Sequence, residues 1–297
     1  MAGGQERILR RRIKSVAATR KITKAMELIA ASQIAKSQAR IAQNRPYRDG
    51  MKRIIVEAAL GDPAVAKKML VAPENVSQAV VLVISGDRGL SGAYNSSVMR
   101  AGERLVKQLR SEGAQVRLFV VGKKAPGFFR FRGMEVEQSF VGFADRPAFS
   151  NAREVARAVA APFTSGEAQQ VHLVSTKFLS AGSQSVSIEQ LLPLSMPETV
   201  IDDAPKKLKG YTEFEPEVEQ LLTFLAPRAI ESEIFTALLE GAASFHSSQQ
   251  RAMAAATDNA DELGQTLSRI MNRARQDSIT TEIMEIVSGA EALRSGK

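Results

Sequence analysis

The stretch from Ser85 to Asn95, Ser-Gly-Asp-Arg-Gly-Leu-Ser-Gly-Ala-Tyr-Asn, is where this sequence comes nearest to a chemical motif. Gly86, Gly89 and Gly92 lie between a β-rich run and a helical one. That is where backbone amides at a helix N-terminus can hold a phosphate. The spacing fails the G-x-G-x-x-G test for a dinucleotide site. A Walker loop fails too, because Gly122-Lys123-Lys124 lacks the upstream glycine and the hydroxyl residue. What remains is a tight strand-to-helix turn built on Asp87, Arg88 and Gly89, with glycines supplying unusual φ or close approach. His172 sits in an apolar strand and reads as a satisfied core or edge histidine. His246 follows Ser244-Phe245 on a helix and reads as a surface residue. The carboxylates are scattered along helices without a common cleft. No catalytic residue, no metal site and no cofactor site is therefore expected. The chain has no Cys, which excludes disulfides and thiolate metal sites.

The chain has 297 residues, 44% of them hydrophobic, which is enough for a real core. No run reaches the roughly 18 apolar residues of a membrane helix. The N-terminus has no apolar signal core, so a mature, soluble, intracellular chain is expected. The formal charge of +8 is unevenly spread. Residues 1–60 hold 14 Lys/Arg against 4 Asp/Glu, whereas residues 217–297 hold 7 against 12. The two ends can attract each other, or can simply carry solvated helix faces. Arg10, Arg11, Arg12, Lys14, Arg20, Lys21 and Lys24 would attract phosphate. However, Ile13, Val16, Ile22, Met26 and Ile29 are interleaved at helical spacing, so the charges line an amphipathic helix rather than a free arm. No nucleic-acid partner is expected.

The elements that carry these residues form four regions: an N-terminal coiled-coil helix (1–60), an α/β domain (75–194), a linker (195–216) and a C-terminal coiled-coil helix (217–297). The first is rich in Ala, Arg, Lys, Gln and Ile; Pro46 should kink or interrupt it. In the second, β-rich runs (Ala79–Ser85, Val116–Gly122, Val171–Thr176, Ser185–Leu192) alternate with helical ones (Tyr94–Glu112, Asn151–Ala161). Asn151 followed by Glu154 fits a capping box. This alternation predicts a small Rossmann-like α/β domain with a largely parallel sheet. The linker holds Pro197, Pro205, Gly210 and Pro216, and Pro227 is placed to start the main C-terminal helix.

The last region has the clearest period. Met253, Ala256, Ala260, Leu263, Leu267, Ile270 and Ala274 are spaced 3-4-3-4-3-4, a heptad seam. Ile279, Ile283, Ile286, Ala290 and Leu293 form a second one. The five-residue gap between them turns the apolar stripe by roughly 140°, at about 100° per residue, so the last turns should face a different partner. Ile22, Met26 and Ile29 make a shorter 4-3 seam near the N-terminus. A helix from Arg228 to Leu293 would span about 100 Å, and the N-terminal helix to Pro46 about 60 Å. Neither fits inside a compact domain of this length. The fold class expected is therefore α/β, with a long antiparallel coiled coil of the terminal helices beside the small α/β domain. The longer C-terminal helix should leave an unpaired stretch.

Three stretches carry a resemblance. They are residues 13–33 (Ile-Lys-Ser-Val-Ala-Ala-Thr-Arg-Lys-Ile-Thr-Lys-Ala-Met-Glu-Leu-Ile-Ala-Ala-Ser-Gln), the Asp-Arg-Gly-Leu-x-Gly-x-Tyr-Asn turn, and residues 251–293 with Asn-Arg-Ala-Arg-Gln-Asp-Ser-Ile-Thr-Thr-Glu-Ile. Together they resemble the gamma subunits of F-type rotary ATP synthases. The resemblance implies a non-catalytic central rotor shaft that couples proton-driven ring rotation to the catalytic subunits. Its implied partners are the alpha and beta subunits of the catalytic ring, the epsilon subunit and the c-ring. The membrane would be met only through the complex, at the cytoplasmic face of the bacterial inner membrane. By the same resemblance, Arg275 and Gln276 match residues that engage a beta-subunit loop. Thr280, Glu282 and Met26 are further candidates for that contact. Phe214 and Glu215 fall where the foot meets the c-ring. Ile283, Ile286 and Leu293 would form an apolar bearing tip. The family turn often has Cys where this chain has Ser91, and no Cys-bearing insert is present, which argues against the redox-regulated chloroplast form. Two other readings stay open on the residues alone: a nucleotide-binding α/β enzyme and a basic helical nucleic-acid binder.

Overall fold

The computed structural model describes residues 2–61, 75–193, 215 and 217–295. Its elements are α1 (Ala2–Gly61), β1 (Gln78–Ile84), α2 (Tyr94–Ser111), β2 (Gln115–Val121), α3 (Lys124–Phe131), β3 (Gln138–Phe140), α4 (Phe149–Thr164), β4 (Gln170–Phe178), β5 (Gln184–Leu192) and α5 (Val218–Ser295). They divide into one unit of residues 30–249 and another of residues 1–29 with 250–297.

In the first unit a five-stranded sheet runs in the order β3-β2-β1-β4-β5. β1 pairs in parallel with β2 and β4, and β2 with β3. Only β5 is antiparallel, hydrogen-bonded to β4. The central strand β1 is apolar throughout because helices cover both of its faces. Val80, Leu82 and Ile84 meet α4 and the Ile230, Ile234 and Leu238 face of α5. Ala79, Val81 and Val83 meet α2 and α3. The largely parallel sheet agrees with the sequence reading. α3 and β3 were not foreseen.

Two prolines behave differently from expectation. Pro46 lies inside α1, which is not interrupted there, and Pro227 lies inside α5 rather than at its start. Both rings are exposed, where water can satisfy the carbonyl that each deprives of a donor. Packing on the opposite face holds the helices together. Met51, Ile55 and Ala58 of α1 are buried with Leu222 and Ala229 of α5. The two helices are also pinned by a hydrogen bond and by charge. Asn44 Nδ2 donates to Thr236 Oγ1 at 2.8 Å, Lys52 meets Glu233 at 3.0 Å and Arg48 meets Glu240 at 4.0 Å. The opposite charges of the chain's two ends therefore do face each other here.

The predicted capping box is also rearranged. α4 starts at Phe149, and Asn151 Oδ1 accepts from the Ala148 N–H at 2.9 Å. Asn151 thus reaches back from the third helical position, and Glu154 has no part in the cap.

Candidate functional site

At the carboxyl ends of β1, β2 and β3, backbone amides converge as they do around a ligand phosphate in open parallel sheets. Here the chain fills that position itself. The Asp87 carboxylate accepts from the Lys123 N–H at 3.0 Å, from the Gly142 N–H at 3.0 Å and from the Ala144 N–H at 2.9 Å. Arg88 pairs with Asp145 and lies 6.0 Å from the Phe245 ring centroid. Asn95 ties the turn shut: its Oδ1 accepts from the Gly86 N–H at 2.8 Å, and its Nδ2 donates to the Arg88 carbonyl at 2.9 Å. Gly89 is half-buried and offers a Cβ only the Lys124 side chain, at 3.8 Å. Ser91, the position at which the resemblance noted a departure, is buried.

The turn also holds α5. Tyr94 is buried edge-on against Phe245 at 5.7 Å. Burial, and after it the charge of Asp145, push the Tyr94 phenol above its ordinary range. Gly241 leaves room for the Tyr94 hydroxyl, which would lie 3.2 Å from a Cβ there. The motif is therefore a clasp between the sheet and α5.

The two histidines part company. His172 is half-buried in β4, between β1 and β5, with Nε2 2.9 Å from Gln170 Oε1, a satisfied histidine of the sheet interior. His246 is not a surface residue: it is 2% exposed, and neither ring nitrogen has a hydrogen-bond partner among the described residues. The reason is that α5 is covered on nearly every side between Ala229 and Gln249. Burial holds the His246 pKa below its ordinary 6.5, although Asp145 pulls it the other way. At pH above about 6.5 the folded and unfolded forms are both neutral there. As pH falls below that, the unfolded chain takes up a proton that the folded chain refuses, so stability is lost. His246→Gln should remove part of this fall, up to about 1.4 kcal/mol per pH unit for one proton. Tm measured between pH 7.5 and 5 checks it; an unchanged slope would mean that His246 is not the group responsible.

The unit of residues 1–29 with 250–297 is a helix pair. Thr257 Oγ1 donates to Thr23 Oγ1 at 2.8 Å. Arg20 pairs with Asp261. A Cβ at Gly264 would lie 3.9 Å from Val16 Cγ1. Contacts that advance on one chain while they retreat on the other make the pair antiparallel. The seam differs from the expected one. Met253 and Ala260 are buried, and Leu267 and Ala274 half-buried, but Leu263 and Ile270 are 49% and 46% exposed. The alternate places are taken by Thr257, Gly264 and Met271. On the N-terminal side Ile22 and Ile29 are both 61% exposed, Met26 is half-buried and Thr23 takes the buried place. The apolar stripe of each helix is wider than one seam, and the pair closes on the side with small and mutually hydrogen-bonded residues, which permit close approach.

Burial ends at Ser278. Every residue from Ile279 to Glu291 is exposed. Ile279, Ile283, Met284, Ile286 and Val287 are between 45% and 72% exposed. The C-terminal helix thus outruns its partner by about 25 Å, at 1.5 Å per residue. A bare helix with this much apolar surface needs a partner to cover it.

A family model described as ATP synthase matches residues 5–293. The chain is 46% identical over 297 residues to the ATP synthase gamma chain of Parafrankia sp. (strain EAN1pec), covering 99% of each. The chain belongs to the ATP synthase gamma-chain family. The gamma chain of Streptomyces coelicolor is 43% identical to it, with 98% of this chain and 97% of the relative aligned. Among solved structures, the central stalk and c-ring assembly of the Tetrahymena thermophila mitochondrial ATP synthase contains a chain 26% identical, with a TM-score of 0.61 over 79% of this chain and 99% of that one. A chain of the Euglena gracilis enzyme shares the fold at a TM-score of 0.64 and 17% identity, covering 99% and 96%. The gamma-chain family thus accounts for the reading of this chain as a central-stalk subunit.

The residues that the gamma resemblance singled out are distributed as follows. Arg275, Gln276, Thr280 and Glu282 are all exposed around the point where pairing stops. The Thr280 hydroxyl donates to the Gln276 carbonyl at 3.0 Å, and that of Ser278 donates to Glu282 at 3.4 Å. Arg275 has no ion pair among the described residues. Ile283 and Ile286 lie on the bare stretch; the side chain of Leu293 and the whole of Phe214 lie outside the described residues. Glu215 is exposed. The basic N-terminal side chains are partly engaged within the chain, Arg10 with Glu6 and Lys24 with Glu27. No helix among the described residues is long and apolar enough to cross a membrane, and none of their His, Asp or Glu clusters could hold a metal ion. Sequence reasoning missed Thr23, Thr257 and Gly264, whose types say nothing of a seam until both helices are in register.

Proposed function

We propose that this chain is the non-catalytic shaft of a rotary ATP synthase, turning inside a ring of alpha and beta subunits and carried by an epsilon subunit and a c-ring. The observation that carries the reading is the uncovered apolar stretch from Ile279 to Val287, in a chain of the gamma family. An apolar sleeve around it would act as a bearing: few directional bonds form there, so sliding barriers stay low. Arg275 and Gln276, at the end of the paired stretch, are the polar groups offered to a beta subunit, with Thr280, Glu282 and Met26 beside them. Glu215, with Phe214, is offered to the c-ring side.

Coupling follows from asymmetry. A shaft that met every beta subunit alike would bias all their sites equally and drive nothing. One curved or lopsided shaft touches each differently, so each contact set favours one conformation and one nucleotide affinity. Rotation then cycles the affinities, and hydrolysis runs the same coupling backwards. Stiffness would come from the packed helix pair of residues 1–29 with 250–297. The carboxylate of Asp87 among the amides of the sheet end supports a non-catalytic role for the α/β unit. The complex would place the chain peripherally, on the cytoplasmic face of a bacterial inner membrane.

The test is co-purification of the full chain with alpha and beta subunits, followed by an ATPase assay with and without it. A stoichiometric complex whose turnover depends on the chain is expected. Failure to assemble, together with tight stoichiometric ATP or NAD binding by the chain alone, would favour an enzyme instead.

A further inference from the structure

The chain holds ten methionines and no cysteine, so thioethers are the only sulfur groups it offers to an oxidant. The fold shields them unequally. Met51, Met99, Met134 and Met253 are buried. Met26 and Met271 are half-buried in the paired stretch of the helices. Met284 is 63% exposed, and no other methionine among the described residues is exposed. Oxidation of a thioether follows access, so the sulfur of Met284 is the one placed to react first.

Its place on α5 gives that exposure a consequence. Met284 lies in the bare stretch from Ile279 to Glu291, next to Ile283 and one turn before Val287. At about 100° per residue it stands about 60° round the helix from Val287, so it borders the apolar surface of Ile279, Ile283, Ile286 and Val287. A thioether extends that surface, because methionine packs as an adaptable apolar side chain. A sulfoxide puts a strong acceptor at its rim, which an apolar sleeve would have to strip of water without supplying a donor.

We propose that Met284 is a redox-modification site, oxidised by peroxide in the unassembled chain, and that its sulfoxide weakens docking of the bare helix end. The sulfur lone pair attacks one peroxide oxygen and the O–O bond breaks. That oxygen stays as S=O, while the other leaves as water with both hydrogens. Sulfur loses two electrons and the peroxide gains them. A methionine sulfoxide reductase supplied with a dithiol reverses the step: the oxygen leaves as water and the dithiol becomes a disulfide. The docking consequence rests on the reading of this stretch as a bearing in an apolar sleeve; the selective oxidation does not.

Two measurements test this. The full-length chain is first treated with limiting hydrogen peroxide and its peptides are weighed. Met284 should gain one oxygen atom at least about tenfold faster than Met51, Met99, Met134 or Met253, and ahead of Met26 and Met271. Similar rates at all of them would overturn the site. The chain is then titrated with alpha and beta subunits and the complex recovered. Oxidised chain should need about tenfold more of these subunits for half-assembly, and reductase treatment should restore the parent value. Met284→Leu should assemble like the parent and stay insensitive to peroxide, whereas Met284→Gln should assemble as weakly as the oxidised parent without any peroxide. Oxidised parent that assembles undiminished, or a loss that persists in Met284→Leu, would overturn the effect on docking. Untreated chain that does not assemble at all would instead sink the shaft reading, and the docking effect with it, while the peptide masses still decide the oxidation site.

Discussion

Gly122→Ala should unfold the α/β unit at markedly lower urea than the parent chain, with a loss of roughly 2–5 kcal/mol. Gly122 follows β2 at φ +96°, where an L side chain is strained. A Cβ there would also fall 2.5 Å from the Ser85 carbonyl oxygen and 2.7 Å from that of Gly86. These atoms are backbone at the end of β1 and cannot swing aside. Moving them would shift Asp87 off the amides of Lys123, Gly142 and Ala144 and loosen the clasp on α5. Gly113 provides the control. Its φ is +94°, but a Cβ there would meet nothing within 4 Å. Gly113→Ala should therefore cost only the backbone strain, about 1 kcal/mol. The difference between the two variants isolates the close approach. Equal losses at both positions would show that the strand ends are not packed as described.

That clasp marks the limit of what the sequence discloses. Strands β1, β2, β4 and β5 and helix α2 fall within about two residues of where their composition places them, because buried parallel strands and amphipathic helices write their burial into residue type. α3 contains Pro126 and Gly127 within eight residues, and β3 has three residues, too few to show a period. Both owe their existence to neighbours: β3 pairs with Phe119–Val121, and Phe129 of α3 fills the core beside Val81 and Val83. Pro46 and Pro227 mislead in the opposite sense, since a local penalty is outweighed by burial of the far helix face. The seam illustrates a third kind of failure. Leu263 and Ile270 obey the heptad as well as the buried positions do, yet face outward. Apolar spacing cannot distinguish a helix's own partner from an external one. His246 escaped for the same reason: its surroundings come from elements distant in sequence. The unpaired end of α5, by contrast, is legible from length alone, because the C-terminal helix is longer than its N-terminal partner.

Arg275→Ala with Gln276→Ala should leave the fold intact and impair coupling. Both side chains are exposed, and Arg275 has no ion pair among the described residues, so the chain's own stability should change by no more than about 0.5 kcal/mol. Their position is what matters. They stand beside Ala274 and Ser278, the last half-buried residues of the paired stretch, before the helix continues alone. A polar contact at that point would report the angular position of the shaft to a beta subunit. Farther along, the apolar surface offers no directional bond. If the contact supplies a coupling free energy of about 1–3 kcal/mol, its loss should lower proton-driven ATP synthesis by about 5- to 150-fold in an assembled complex. Assembly and Tm should stay near the parent values, since the seam from Met253 to Ala274 is untouched. Synthesis rates in reconstituted vesicles, compared with the amount of complex recovered, separate a coupling defect from an assembly defect. Undiminished synthesis in a complex carrying both changes would remove these residues from the coupling contact, while the apolar tip could still serve as a bearing, because the bearing needs only area and the coupling contact needs direction.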